Sequence, residues 1–156
     1  MSTCTINVSK NSLFQSLHRD FWFLIRNNMV ADSKTEPFWE SVVKETSSFH
    51  KKYPFVYTRD ILLAILNELE RNEQVFQKSY VKTGSPFFQL HNDYWKIVQR
   101  FINGVRNEQY FTELRKTCQG LYQKYPSQYT MDLILALLHE IERRNYAERK
   151  IEKLFA

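Results

Sequence analysis

The chain is 156 residues long, 43% hydrophobic and 25% charged, the balance of a soluble globular domain and not of a disordered tail. Three Gly and four Pro leave too few tight turns for an all-β sandwich or barrel, and two Cys, Cys4 and Cys118, make neither a disulfide framework nor an all-Cys zinc site. Formal charge is +5, yet residues 12–72 set eight Lys/Arg against eight Asp/Glu and residues 85–145 set eight against six, so no basic block marks a dedicated nucleic-acid binder.

Residues 1–10 lack the basic start and apolar run of a secretory signal, and the longest apolar run, Ile61–Leu66, is far short of the roughly 20 residues that cross a bilayer. A cytoplasmic protein is expected, with no membrane partner. From residue 12 the chain repeats itself. At an offset of 73, six of eleven positions in 12–22 are identical to 85–95, and at an offset of 72, twelve of twenty in 52–71 are identical to 124–143. Two such blocks in the same order predict a duplicated unit. The reading is of a single domain, 1–156, with repeat one over 12–72, a helical connector over 73–84, repeat two over 85–144 and a charged helical extension over 145–156.

Each repeat reads as three helices. The first begins at Ser12 or Ser85 as N-cap, with Gln15 at a capping-box position in one copy and Pro86 at the first helical position in the other. Its apolar residues recur at helical spacing: Phe14, Leu17, Phe21 and Leu24, then Phe87, Leu90, Tyr94 and Ile97. The second is predicted from about Pro37 to Lys52 and from about Glu108 to Lys124, with Phe38, Val42, Glu45 and Phe49 matched by Tyr110, Leu114, Thr117 and Leu121. Pro54 and Pro126 end it, since the residue before a proline is pushed out of helical geometry. The third is predicted to begin after Thr58 or Thr130 as N-cap. Its apolar runs, 61–66 and 133–138, belong at a centre. The fold expected is all-α, a six-helix bundle with a pseudo-twofold axis, its two central helices crossing closely at Ala64 and Ala136 and sheathed by the others.

The repeated Leu-His-x-Asp-aromatic-Trp invites a metal site from His18, Asp20, His91 and Asp93. Residues two apart on a helix point about 200° from each other, so one His–Asp pair cannot grip one ion. The expectation is a His beside Trp, bonding a neighbouring helix, with Asp receiving a loop amide or an Arg; no metal or cofactor is expected. His139-Glu140 has Arg143 where a metalloprotease needs its second His. No catalytic residues are assigned, and the chain is not expected to be an enzyme.

The places where the repeats differ carry the functional expectation. Phe23, Val43, Phe55 and Val56 stand where repeat two has Lys96, Arg115, Ser127 and Gln128. Polar residues mark solvent, so repeat one is expected to show an apolar patch there, unless residues 1–11 fold back over it. The protein is then a non-catalytic binder and regulator, possible roles being inhibitor or adaptor, whose partner is another protein and whose own state is monomer or homodimer. The alternative is a nucleic-acid-binding accessory protein, for example of a mobile element, using Lys51, Lys52, Tyr53, Lys124, Tyr125, Arg143 and Arg144.

Overall fold

A computed structural model describes residues 12–31, 33–71, 80–103 and 106–155, the side chains at 147–152 and 155 excepted. Six helices follow in order: α1 (Leu13–Asn28), α2 (Glu36–Lys52), α3 (Val56–Arg71), α4 (Pro86–Phe101), α5 (Glu108–Lys124) and α6 (Gln128–Phe155), with no strand among the described residues. The chain is all-helical, and its packing is that of a bundle. None of the described helices is long and apolar enough to cross a membrane. Residues 1–11 and most of the connector, 72–79, lie outside the described residues, and so does the expectation that either segment covers anything.

Helices α1, α2, α4 and α5 each start on a side-chain cap. Ser12 and Ser85 accept the N–H of Gln15 and Phe88, Thr35 accepts that of Phe38, and Asn107 that of Tyr110 at 2.8 Å. Each takes up an amide that a helix start otherwise leaves without a partner. Gly84, at φ +88°, turns the chain into α4 in the left-handed region that glycine enters without strain.

α1 packs against α2, α4 against α5, and α3 packs most extensively against α6. Two ion pairs fix the direction of that last contact. Arg71 at the end of α3 lies 3.4 Å from Asp132 near the start of α6, while Arg143, further along α6, lies 3.2 Å from Asp60 near the start of α3. The helices therefore run antiparallel. Ala64 and Ala136, both buried, fall near the middle of the stretch between the pairs, where small side chains permit close approach.

Three expectations need correction. The third helix of each repeat starts three residues earlier than predicted, at Val56 and Gln128, so Thr58 and Thr130 sit inside the first turn, fully buried, and are not its caps. The residues before each helix, Phe55 and Ser127, take that place, their carbonyls accepting the N–H of Arg59 and Met131 at 3.2 Å. Nor is the central pair sheathed all round: Leu63 is 48% and Leu135 39% exposed. The buried stripes are Ile61, Leu62, Ile65 and Leu69 on α3 and Leu133, Ile134, Leu137 and Ile141 on α6. On α2 and α5 the buried register includes Thr46 and Cys118, one residue on from the predicted Glu45 and Thr117.

Candidate interaction surface

The repeated His and Asp serve the interior. His18 Nδ1 donates to the Phe14 carbonyl at 2.9 Å, which fixes Nε2 as acceptor for the Tyr57 hydroxyl at 2.7 Å. Tyr57 in turn accepts from Tyr94 at 2.9 Å. His91 repeats this arrangement with the Phe87 carbonyl and the Tyr129 hydroxyl, both at 2.7 Å. Burial is the main reason both imidazoles are pulled down from 6.5 to about 4, so both are neutral at pH 7. Each His packs on the Trp of the opposite repeat, His18 on Trp95 with ring centroids 4.3 Å apart and His91 on Trp22 at 4.9 Å.

Asp20 accepts from the Tyr53 hydroxyl at 2.5 Å and from Lys52 at 2.9 Å, and Asp93 accepts from Tyr125 at 2.7 Å and Lys124 at 2.9 Å. An Arg, one of the expected partners, also pairs with Asp20, Arg19 at 3.6 Å, but the hydrogen bonds to both carboxylates come from a Tyr and a Lys, not from a loop amide. Partial burial pushes both carboxyls up, but the hydrogen bonds from Tyr and Lys outweigh it, and the net position lies below 3.8. These clamps tie the end of α2 to α1 and the end of α5 to α4. They also engage the residues singled out for nucleic acid. Tyr53 is buried, Lys52 and Lys124 are ion-paired, and Arg143 and Arg144 both pair with Glu140. Of the five cations in that set, Lys51 alone forms no ion pair among the described residues.

Phe23, Val43, Phe55 and Val56 are 38%, 61%, 40% and 45% exposed. Phe23 lines a groove of about 290 Å³ between α1 and α4, beside Trp22, Phe88 and Trp95, with the Arg26 guanidinium 4.8 Å over its ring. Val43 is exposed on α2. Phe55 and Val56 are consecutive at the turn between α2 and α3.

That turn departs from its counterpart in a specific way. In the second repeat the Ser127 oxygen accepts the Thr130 N–H at 3.1 Å and lies 3.0 Å from the Thr130 hydroxyl. Phe55 offers neither contact. Thr58, fully buried, is left with a hydroxyl that has no hydrogen-bond partner. An unmade bond of this kind costs about 1–3 kcal/mol.

A second groove, of about 580 Å³, lies between α5 and α6 and is lined by Phe111, Leu114, Cys118, Tyr122, Met131 and Ile134 among others. Sequence reasoning missed it, although Met131 in place of Arg59 was its signal. Burial holds the Cys118 thiol up to about 11, so it is an apolar part of the wall and no nucleophile at pH 7. Comparison of the chain with protein-family models, curated proteins and solved structures returned no match.

Proposed function

We propose that the chain is a non-catalytic interaction protein, built by duplication of a three-helix unit about a pseudo-twofold axis, which binds and regulates another protein through the α2–α3 turn. The symmetry reading is supported by reciprocity: the His–Tyr bonds, the Asp–Tyr–Lys clamps, the crossed His–Trp contacts and the Arg–Asp pairs between α3 and α6 all occur twice at the repeat offsets.

The binding reading rests on one observation. At the position before α3 the chain places a part-exposed phenyl ring where Ser would cap the helix and satisfy Thr58, as Ser127 does for Thr130. A residue that breaks a local rule of the fold at a net cost points to use elsewhere. Val56 beside it extends the apolar surface, of the kind that anchors a protein interface.

The test transplants the second repeat's residues into the first, Phe55→Ser with Val56→Gln, and captures partners from the native cell for identification by mass spectrometry. Loss of a partner retained by the parent chain is the expected result. Phe23→Lys and Val43→Arg, made separately, report on the other two exposed positions and are expected to leave capture intact. Unchanged capture by the turn variant refutes the reading.

A further inference from the structure

Two unneutralised cations flank the same turn. Arg59 lies four residues after Phe55 and three after Val56, so on a helix it shares their face, and Lys51, the penultimate residue of α2, lies four residues before Phe55. Both are exposed, and neither enters an ion pair among the described residues. The nearby carboxylates are already engaged, Asp20 by Tyr53 and Lys52 and Asp60 by Arg143. Arg59 also stands near the N-terminal end of α3, where the helix dipole is itself positive and a cation is out of place. In the second repeat the matching positions hold Gln123 and Met131. The positive charges and the exposed apolar pair thus occur together in the first repeat and are absent together from the second.

We propose that the partner presents an acidic apolar segment to this turn: an aromatic or aliphatic anchor seated on Phe55 and Val56, with carboxylates on either side meeting Lys51 and Arg59. The proposal rests on the reading of the turn as a docking surface and adds the chemistry of what docks. Charge complementarity of this sort steers encounter and selects among partners. A protein segment fits better than nucleic acid. Stacking bases need open aromatic faces and a run of free cations, whereas Tyr53 is buried, Tyr125 is bonded to Asp93, and Lys52, Lys124, Arg143 and Arg144 are ion-paired.

Fluorescence anisotropy with four labelled probes tests it: a peptide of about twelve residues with a central Trp-Leu among glutamates, the same peptide with glutamines, the same with lysines, and an oligothymidylate of matching length. The glutamate peptide is expected to bind about tenfold tighter than the glutamine one, an advantage that shrinks as salt is raised. Lys51→Glu with Arg59→Glu should remove that advantage and leave binding of the glutamine peptide. Lys51→Gln with Arg59→Met, the second repeat's own residues, should do the same in a gentler background. Phe55→Ser should remove both, with circular dichroism showing each variant folded. Equal affinity for glutamate and glutamine peptides, both lost in Phe55→Ser, overturns the acidic chemistry and leaves the docking surface standing. Peptide binding indifferent to Phe55→Ser, or no peptide binding, overturns both. Tighter binding of the oligothymidylate or the lysine peptide overturns the proposal in favour of a different partner.

Discussion

Phe55→Ser separates what the fold favours at the α2–α3 turn from what the proposed docking role would favour there. A serine at this position gives α3 the N-cap that α6 has in Ser127, worth about 1 kcal/mol. It also brings an oxygen to the Thr58 hydroxyl, as Ser127 does for Thr130 at 3.0 Å, relieving a desolvation cost of about 1–3 kcal/mol. Against this stands the phenyl ring. It is 40% exposed, so roughly three-fifths of the full benefit of burying it is at stake, about 1–2 kcal/mol. The terms favour serine slightly, and Phe55→Ser is expected to hold the unfolding free energy within about 1 kcal/mol of the parent or above it. Phe55→Ala sheds the same apolar surface, restores neither bond and should fall about 1–2 kcal/mol below the parent. Urea unfolding followed by circular dichroism compares the three chains, equal slopes confirming that the unfolded state is unchanged. The reciprocal Ser127→Phe removes a cap and orphans Thr130, and should cost about 2 kcal/mol or more. Serine no more stable than alanine at position 55 would refute the cap argument, and with it the claim that the ring is kept at the fold's expense.

Acid should unfold the protein through its histidines first. His18 and His91 ionise near 6.5 when unfolded but near 4 in the fold, so the unfolded chain binds more protons between those values. Their stability contribution is complete above pH 6.5 and is lost as pH falls, with a slope of about 1.4 kcal/mol per pH unit for each imidazole and about twice that for the pair. Asp20 and Asp93, held below 3.8, add a further loss at lower pH still. Urea midpoints across pH measure the slope; His91→Gln should halve it, and a flat profile between pH 6.5 and 4 contradicts the burial of these rings. Leu63 and Leu133 give the packing contrast. Leu133→Ala, at a fully buried site, should cost about 2–5 kcal/mol, whereas Leu63→Ala, at a site 48% exposed, should cost about 1 kcal/mol, and equal losses would restore the fully sheathed central pair.

What the sequence made legible follows from the range of the forces involved. Caps and breakers act over three or four residues, so Ser12, Ser85 and Pro86, and the ends of α2 and α5 at Lys52 and Lys124, could be read directly. The start of α3 and α6 was misplaced because Thr followed by Asp imitates a cap, while in the fold Ser127 holds that position and Thr130 is swallowed by the first turn. Long-range choices could not be read at all. His18 shares a helix face with Trp22, yet it packs on Trp95, a contact that depends on how α1 meets α4. The exposure of Leu63 and Leu135 was hidden for the same reason: an apolar run states a preference for burial, and only the assembled helices decide how much is covered.

Differences between the repeats are therefore not equal as signals. Tyr94 stands where the first repeat has Phe21, but its hydroxyl bonds Tyr57 inside the bundle, and Phe21 packs against Phe49 and His91, so both residues suit their surroundings. Phe23, opposite Lys96, lines a groove of aromatic rings under the Arg26 guanidinium and gains from contacts within the chain. Phe55 differs in kind. Its exchange for Ser127 removes a cap, leaves the Thr58 hydroxyl unpartnered and exposes part of a ring at a turn flanked in sequence by Lys51 and Arg59, which form no ion pair among the described residues. Internal packing accounts for the first two differences and leaves the third, where the described fold would favour the smaller, polar residue, as the observation on which the proposed docking surface rests.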